Sequence, residues 1–320
     1  MSVPGSLYLA CAAGVHAGLT EAALALFLAF RFAIFLTRMV PLRVSYGLAR
    51  AVGVAAFYAW PGGRRRSIQN LRRVLGGDPR EARRCARRSF GNYLVYLVDF
   101  FRFLGTDADE IRRRVVVEES LWERLREKRS SNGTVFLTMH FGNWDLGAAI
   151  LALNGFALSA IADEFPNERV NRLVISSRKH LGMNIIPVGR MGPGILRALR
   201  NNDVVALLVD VPQATGGVDV EFFGATIRVS DGPARIALRA GSPVVAATLP
   251  RLDRWSDTVG AEIAPVAFDA TGDAEADVRG LTQAVFTNLE GLVRRYPEQW
   301  YIFRNLWLDD RAPVRASVKA

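Results

Sequence analysis

Cysteine and histidine are scarce in this chain of 320 residues, which contains two cysteines and three histidines. Cys11 and Cys85 lie far apart in the sequence and form neither a metal-binding nor a redox spacing, so we expect inert thiols in a reducing compartment. Because thiol and imidazole ligands are so few, a zinc site is not expected, and we predict no metal.

The signatures of several large enzyme classes are also missing. The chain has no G-x-S-x-G nucleophile elbow, no Walker loop and no H-E-x-x-H motif, and "GRMGPG" at 189–194 has the wrong glycine spacing for a dinucleotide site. Fixed-period repeats and Ser/Pro-rich linkers are absent as well. We therefore predict a single domain over residues 41–312, with an N-terminal helix over 1–40 and a short tail over 313–320.

Basic residues outnumber acidic ones, and the formal net charge is +10. This excess favours an anionic partner, which could be nucleic acid, an anionic lipid or an acidic substrate. A nucleic-acid binder would be expected to carry interleaved exposed aromatic residues or a recognised reading module. Neither is visible, so we expect no nucleic acid among the partners.

The N-terminal region is apolar from Leu7 to Leu36 but is interrupted by His16, Glu21 and Arg31. Its length is close to the 20 or so residues that a membrane-spanning helix requires, whereas the polar interruptions favour a helix that lies on the membrane or packs on the domain. Arginines follow this segment, which places the rest of the protein on the cytoplasmic side of the inner membrane if the helix spans it.

The remainder of the chain predicts an α/β fold. An Arg-rich helical region comes first, with helices at 41–60 and 64–75 separated by "PGG", and then a longer helix. Short apolar runs then alternate with helical stretches, with strands at 134–139, 157–162, 184–188, 204–209 and 243–249 and helices at 143–153, 167–181, 192–201 and 231–240. Continuous apolar strands between helices indicate a mainly parallel central sheet flanked by helices, with chemistry just beyond the carboxyl ends of the strands.

The segment "TVFLTMHFGNWDLGAAILAL" at 134–153 places His140 at such a strand end. Gly142 would make the turn, Asn143 is a suitable helix N-cap, and Asp145 falls in the first helical turn. Across this corner Asp145 could accept a hydrogen bond from one ring nitrogen of His140 and leave the other nitrogen as a base. A His–Asp pair without a protein nucleophile suits deprotonation of a substrate hydroxyl.

From the residues alone, other interpretations stay open. An acid in the first turn of a helix is favoured by the helix dipole, and the histidine could be structural, as it would be in a non-catalytic basic membrane-binding protein. A lipid hydrolase of the serine or metal type would need a nucleophile or a ligand set that the sequence does not offer.

Six blocks in order resemble the bacterial lysophospholipid acyltransferase family, which includes the lipid A late acyltransferases and the phosphatidylinositol mannoside acyltransferases. One of them is "HFGNWDLG", which resembles the H-x-x-x-x-[DE] motif of that family, and the similarity extends from about residue 20 to about 308. The other five blocks are "RRRSIQNLRRVLG", "SSRKHLGMNIIPV", "LLVDVPQATGGVDVEFFG", "VSDGPARIALRAGSPVV" and "YPEQWYIFRNLW".

The resemblance implies transfer of an acyl chain from an acyl-CoA or acyl carrier protein thioester to a hydroxyl of a lipid or glycolipid at the membrane, with no resident cofactor. His140 would be the general base and Asp145 would orient its ring, while amides of the glycine turn would stabilise the oxyanion. Arg178, in a basic region of the family, and Asp210, at the end of the apolar run "VVALLVD", match functional regions of the family, and we predict that both bind substrate. Arg235 and Arg304 are weaker candidates for substrate binding.

Two departures concern the acceptor. Many lipid A enzymes carry Glu where this chain has Asp145, and an aromatic-Arg-Pro triplet where this chain reads "EFPNE". Together with "VEFFG", these differences lean toward the mannoside type. The acceptor, the acyl-chain length and the choice between the two donors are not encoded in any motif that we can interpret.

Overall fold

The computed structural model describes residues 6–127, 131–162 and 164–309, with side chains from Glu21 onward except those of Arg124, Glu127 and Arg190, so the predicted tail at 313–320 and the side chain of His16 lie outside the described residues. The helices are α1 Ser6–Met39, α2 Leu42–Ala59, α3 Pro61–Val74, α4 Pro79–Phe103, α5 Ala108–Arg114, α6 Glu119–Glu127, α7 Trp144–Leu153, α8 Glu168–His180, α9 Met191–Arg200, α10 Gly232–Ala240 and α11 Ala274–Arg295. The strands are β1 Val115–Val116, β2 Thr134–Thr138, β3 Leu158–Ala162, β4 Met183–Pro187, β5 Val204–Leu208, β6 Val218–Phe222, β7 Ala225–Val229, β8 Val244–Thr248, β9 Val259–Gly260 and β10 Glu262–Pro265.

A six-stranded sheet forms the centre of the molecule, with the strand order β10-β8-β2-β5-β3-β4. All of its pairs are parallel except β10 with β8. The five strands predicted from the apolar runs are the five parallel strands of this sheet, so the predicted fold class is confirmed. The antiparallel edge strand β10, the hairpin of β6 and β7, and helix α11 were not predicted.

The two faces of the sheet bury separate hydrophobic clusters because side chains alternate along each strand. On β2, Val135 and Leu137 enter a cluster with residues of α9, α10 and α11, whereas Phe136 enters a second cluster with residues of α4, α5, α7 and α8. A sheet whose faces are both covered needs apolar residues at every position, which explains why its strands read as continuous apolar runs.

The Arg-rich helices α2, α3 and α4 pack on one another, and α4 covers the face of the sheet that carries Phe136. Gly53 of α2 contacts Gly91 of α4 so closely that a Cβ at Gly53 would lie 2.6 Å from the Gly91 Cα atom. The "PGG" segment does not separate two helices as predicted. Pro61 instead begins α3, because proline lacks the amide hydrogen that the first turn leaves unused and has a helical φ already.

Helix α1 packs along one face on the same side of the domain. Phe27, Phe30 and Ile34 contact the second hydrophobic cluster, and the ring of Phe30 makes edge contacts with Phe100 of α4 and with Phe165 after β3. Near the same place, the side-chain amide of Asn167 at the start of α8 donates to the carbonyl of Ala23. The middle of α1 therefore lies beside the carboxyl end of β3.

Candidate active site

The ends of two neighbouring strands bring His140 and Asp210 together. Strands β2 and β5 pair in parallel with Thr138 opposite Leu208, so the residues two positions further on lie side by side at the carboxyl edge of the sheet. These residues are His140 and Asp210, which are 70 positions apart in the sequence. The site is therefore built from the most buried part of the sheet and depends on the register of two central strands.

Asp210 accepts two hydrogen bonds from His140. Its Oδ1 atom lies 2.8 Å from the ring Nδ1, and its Oδ2 atom accepts from the backbone amide of His140 at 3.0 Å. The indole nitrogen of Trp300 donates to the same Oδ2 at 3.1 Å. The carboxylate of Asp210 is fully buried, whereas the ring of His140 is 35% exposed.

The electrostatics of this pair favour an ionised Asp210. Burial raises the pKa of a carboxyl group, but the His140 ring and the hydrogen bonds from His140 and Trp300 outweigh burial and hold the pKa of Asp210 below its usual value. A carboxylate can only accept hydrogen bonds, so a neutral His140 carries its proton on Nδ1. The other ring nitrogen, Nε2, is then the one that accepts a proton.

The sequence-based expectation assigned Asp145 to this position, and the structure differs. Asp145 is nearly buried in the first turn of α7, where its Oδ2 accepts from the Tyr96 hydroxyl at 2.9 Å and its Oδ1 accepts from the Arg178 guanidinium at 2.8 Å. Asp145 thus joins α7 to α4 and α8. The prediction failed because the first helical turn carries the carboxylate away from the strand axis, while parallel pairing brings the neighbouring strand end beside the ring.

The two partners of Asp145 have matching pKa shifts. Burial lowers the pKa of the Arg178 guanidinium, but the Asp145 charge outweighs burial, and the pKa is raised overall. Burial, together with the negative charge of Asp145, raises the pKa of the Tyr96 hydroxyl well above its usual value. Arg178, predicted to bind substrate, is therefore a cation within a buried ion pair.

A tight turn after His140 holds the ring in place. Gly142 has a φ of +59°, and a Cβ there would lie 1.9 Å from the Leu249 carbonyl oxygen, so only glycine fits. The turn amides are already bonded, Phe141 to the Met139 carbonyl, Gly142 to the Gln299 carbonyl at 3.0 Å and Asn143 to the Leu249 carbonyl at 2.9 Å. The expectation that these amides stabilise an oxyanion is therefore not supported by the geometry.

Asp210 was also predicted to bind substrate, but it is fully buried against the His140 ring, and no contact among the described residues brings Arg235 or Arg304 to this pair. Arg235 is exposed on α10 and forms ion pairs with Asp231 and Glu275 at 2.6 and 2.7 Å. The side chain of Arg304 is exposed, and its backbone carbonyl accepts from the Asn70 amide at 2.9 Å. The sequence also predicts that Phe141 packs beneath the motif and that His180 lies on a helix surface, and the structure agrees, since Phe141 is fully buried and His180 is exposed.

Trp144, which the sequence predicts to pack beneath the motif, lies against the histidine ring, and Tyr96 and Tyr301, which were not predicted, lie beside Trp144. Trp144 meets the His140 ring edge to face at 5.4 Å between centroids, and the Tyr96 ring lies 4.1 Å from Trp144. The backbone amide of Tyr301 donates to the His140 carbonyl at 2.8 Å. These side chains come from α4, α7 and the C-terminal segment, and only the "YPEQW" block hinted at their presence.

A buried polar cluster lies behind the turn. Asp99 of α4 accepts hydrogen bonds from the Tyr46 hydroxyl, the Arg251 guanidinium and the side-chain amide of Asn143, the last at 3.3 Å, and the Arg114 guanidinium lies 3.2 Å away. Two arginines thus compensate a carboxylate that is fully buried. This cluster ties the cap of α7 to helices that lie outside the α/β core.

The fold and the site define an α/β protein in which a buried carboxylate holds a partly exposed histidine at the carboxyl edge of a parallel sheet. The family model described as "Bacterial lipid A biosynthesis acyltransferase" matches residues 19–309, so the chain belongs to the bacterial lipid A biosynthesis acyltransferase family and is an enzyme that transfers acyl groups. The resemblance predicted from the sequence is confirmed.

Curated relatives carry a more specific name. The chain is 28% identical over 289 residues to the phosphatidylinositol mannoside acyltransferase of Mycolicibacterium smegmatis, covering 88% of this chain and 90% of the relative. It is also 28% identical over 271 residues to the phosphatidylinositol mannoside acyltransferase of Mycobacterium tuberculosis, covering 82% of each chain.

Proposed function

We propose that the protein transfers a fatty acyl chain from an acyl-CoA or acyl carrier protein thioester to a hydroxyl group of a glycolipid. The observation that carries this proposal is the His140–Asp210 pair at the carboxyl edge of the sheet, with the ring partly exposed and the carboxylate buried. The names of the relatives support a mannosylated phosphatidylinositol, or a lipid of similar chemistry, as the acceptor.

In the proposed reaction, Nε2 of His140 takes the proton of the acceptor hydroxyl as its oxygen attacks the thioester carbonyl carbon. The tetrahedral intermediate then collapses, the carbon–sulfur bond breaks, and the imidazolium returns its proton to the leaving thiolate. The products are an ester and a free thiol. Asp210 holds the tautomer and stabilises the imidazolium, and a base positioned in this way contributes about 10²- to 10⁴-fold to the rate.

Asp145 has a positioning role in this proposal. Its ion pair with Arg178 and its bond from Tyr96 fix the first turn of α7, which follows directly on the His140 turn. The acidic residue of the H-x-x-x-x-D motif would then act on the histidine through the backbone of the turn. Trp144, beside the ring, is placed to border the acceptor.

We further propose that the protein works at the cytoplasmic face of the inner membrane. The segment Glu21–Met39 is long and apolar enough to cross a membrane by length and composition, and exposed arginines follow it. Both the acceptor and the fatty chain of the donor would be at hand there. Cell fractionation with protease digestion of inverted and right-side-out vesicles tests this location.

The catalytic proposal is tested by substituting His140 with alanine and comparing it with His180→Ala. Purified protein in detergent is incubated with palmitoyl-CoA or palmitoyl acyl carrier protein and a lipid extract, and acylated lipids are detected by mass spectrometry. We expect His140→Ala to lose at least 10²-fold of turnover with an unchanged unfolding midpoint. His180 is exposed at the end of α8, and its substitution should leave turnover unchanged. Full activity of His140→Ala would refute the proposed chemistry.

A further inference from the structure

Exposed apolar side chains concentrate on the first two helices. Among the described residues, twelve of the seventeen exposed large hydrophobic side chains lie on α1, on α2 or at the residue that follows α2. Soluble proteins rarely expose a contiguous apolar surface of this kind unless it binds something.

Helix α2 exposes an entirely apolar face between its buried positions. Leu48 and Val52 are 60% and 56% exposed, and they lie one turn apart with Val44 one turn before them. The structure describes all of α2, and its exposed side chains other than Arg43 and the small residues are apolar or aromatic. A helix that faced water would carry polar residues on that side.

Helix α1 is apolar on two opposite faces, and the domain covers only one of them. Phe27, Phe30 and Ile34 pack on the domain, while the opposite face is exposed. A spanning helix is surrounded by lipid or by other membrane helices, so a segment that uses one face to pack on the α/β domain cannot be buried in the bilayer core at the same time. Its exposed large hydrophobic residues are Leu24, Leu26, Leu28, Phe32, Phe35, Leu36 and Met39.

A third element extends this surface. The loop between β8 and β9 exposes Leu252 and Trp255, and the guanidinium of Arg50 on α2 stacks over the Trp255 ring at 4.9 Å. Arg50 also donates to the Arg254 carbonyl, so the loop is fixed beside α2. Exposed tryptophan beside exposed apolar residues is typical of side chains at the boundary between lipid headgroups and acyl chains.

The charges around the surface select its partner. Exposed arginines on these elements outnumber the exposed acids Glu21 and Asp253, and they are Arg31 and Arg38 on α1, Arg43 on α2 and Arg254 in the loop. Near an anionic bilayer each such cation adds attraction, and long arginine side chains can reach the headgroups while their stems remain in the apolar boundary. An apolar surface with a basic border therefore fits an anionic leaflet better than it fits a neutral one.

We infer that α1 from Glu21 onward, the outer face of α2 and the Leu252–Trp255 loop form one docking surface that lies in the plane of an anionic bilayer, so that the segment Glu21–Met39 does not span it. This inference depends on the proposed function only in assuming that the protein acts at a membrane. The middle of α1 lies beside the carboxyl end of β3, so the docked surface borders the sheet edge that carries His140. An acceptor lipid would then reach the base from the side of the leaflet.

The test compares two full-length double variants with the parent protein. Leu48→Glu with Val52→Glu places two charges on the exposed face of α2, and Thr226→Glu with Thr287→Glu places two on exposed positions of β7 and α11, whose helix covers the opposite face of the sheet. Detergent-purified proteins are mixed with vesicles of phosphatidylethanolamine and phosphatidylglycerol, the detergent is removed, and binding is measured by flotation. Circular dichroism verifies that each variant is folded.

We expect the Leu48/Val52 variant to bind at least about tenfold less protein to vesicles, because the apolar burial of both side chains is lost, while the Thr226/Thr287 variant binds like the parent. Parent protein should leave the membrane at high pH, and neutral phosphatidylcholine vesicles should bind less of it. Equal binding of both variants with resistance to alkaline extraction would overturn the inference in favour of a spanning α1. A shift from dimer to monomer in the Leu48/Val52 variant, without a change in flotation, would assign the surface to a second copy and also overturn it.

A His140→Ala protein distinguishes failure of this inference from failure of the proposed function. It should float with vesicles as the parent does, because His140 lies outside the docking surface. Loss of turnover with normal flotation in His140→Ala therefore supports the proposed chemistry. Loss of flotation in the Leu48/Val52 variant, with normal turnover on a lipid dispersed in detergent, supports the docking surface.

Discussion

At the scale of single residues, the buried carboxylate of Asp210 decides how His140 can act. Asp210 receives hydrogen bonds from the ring and the backbone of His140 and from the Trp300 indole, so its orientation is fixed from three directions. Its negative charge stabilises a positive imidazole, which forms only while a proton is in transit. In the proposed reaction this residue would therefore stabilise the transition state, in addition to its hydrogen bonds in the resting fold.

Asp210→Asn should therefore reduce kcat by roughly 10²-fold or more, because the amide keeps a hydrogen-bonding shape but carries no charge to stabilise the imidazolium. Steady-state kinetics with saturating acyl-CoA provide the measurement. The KM for the donor should change little, since Asp210 is fully buried and cannot contact the donor. A kcat within threefold of the parent value would contradict the assignment of Asp210 as the orienting carboxylate.

The same residue predicts a pH dependence of stability. The pKa of Asp210 is lower in the folded protein than its ordinary value of about 3.9, so its contribution to folding is fully present above that value and is lost as the pH falls through the folded pKa. Urea unfolding between pH 3 and pH 5 should give a difference in unfolding free energy between parent and Asp210→Asn that shrinks below about pH 4. A difference that grows with acid would exclude an ionised Asp210.

At the scale of secondary-structure elements, the backbone of the turn between β2 and α7 lies in close contact with the backbone at the end of β8. Gly142 lies against the Leu249 carbonyl at the end of β8, and its amide is bonded to the Gln299 carbonyl. The turn is thus held by the neighbouring strand on one side and by the C-terminal segment on the other. Any side chain there has to push β8 away from β2.

Gly142→Ala should consequently destabilise the fold by at least about 2 kcal/mol, since it combines a positive φ with a backbone clash. Gly291→Ala is the matched control, because it lies within α11 with no atom within 4 Å of a new Cβ, and it should stabilise by about 0.5–1 kcal/mol. Both values come from urea unfolding followed by circular dichroism. Similar stabilities for the two variants would show that the turn tolerates a side chain.

The Asp145–Arg178 pair provides a second test at this scale, because it joins α7 to α8 through a nearly buried contact. Removing one partner leaves the other buried without its countercharge, so Asp145→Asn and Arg178→Met should each cost about 3–5 kcal/mol. The double variant should cost less than the sum of the two. Additive losses in the unfolding free energies would mean that the pair contributes no coupling.

Secondary-structure elements could be predicted from the sequence where burial determines the pattern of apolar residues. The five parallel strands carry uninterrupted apolar residues because both of their faces are covered, and a pattern of that kind is visible without coordinates. The hairpin of β6 and β7 was missed because "VDVEFFGATIRV" mixes exposed charges with buried residues, and its pairing is set by a turn with positive φ at Phe223 and Gly224.

The position of His140 in the candidate site could be predicted from the sequence, but its contact with Asp210 could not. His140 and Asp210 could each be placed at a strand end from the sequence, yet their contact depends on β2 and β5 being neighbours, which is a property of strand order and not of any local pattern. Asp145 was chosen because it is near in sequence. Nearness along the chain is a poor guide when a helix intervenes, since its first turn directs side chains away from the strand.

At the scale of the whole molecule, a buried charge cluster joins the helices before the sheet to the site. Asp99 on α4 is bonded to Tyr46 of α2 and to Arg251 after β8, and it also bonds the Asn143 side chain that caps α7. Burial and the negative charge of Asp99 raise the pKa of the Tyr46 hydroxyl far above its ordinary value. The α/β core and the N-terminal helices therefore share one buried electrostatic unit.

Asp99→Asn should for this reason affect distant parts of the molecule together. It leaves the guanidinium groups of Arg114 and Arg251 buried with less compensation, at a cost of about 3–5 kcal/mol, and weakens the bond to Asn143. Hydrogen exchange should reveal faster exchange in α2, in α5 and at the start of α7. Faster exchange limited to α4 alone would indicate that the cluster does not connect these elements.

The C-terminal segment has a consequence for how the protein matures. Residues 299–301 supply the carbonyl that holds Gly142, the indole that bonds Asp210 and the amide that bonds the His140 carbonyl. A nascent polypeptide emerging from the ribosome thus lacks the complete set of bonds around His140 and Asp210 until residues 299–301 have been synthesised and folded back. We expect premature termination before residue 299 to yield a product that acylates no lipid, as measured by mass spectrometry of a lipid extract incubated with acyl-CoA.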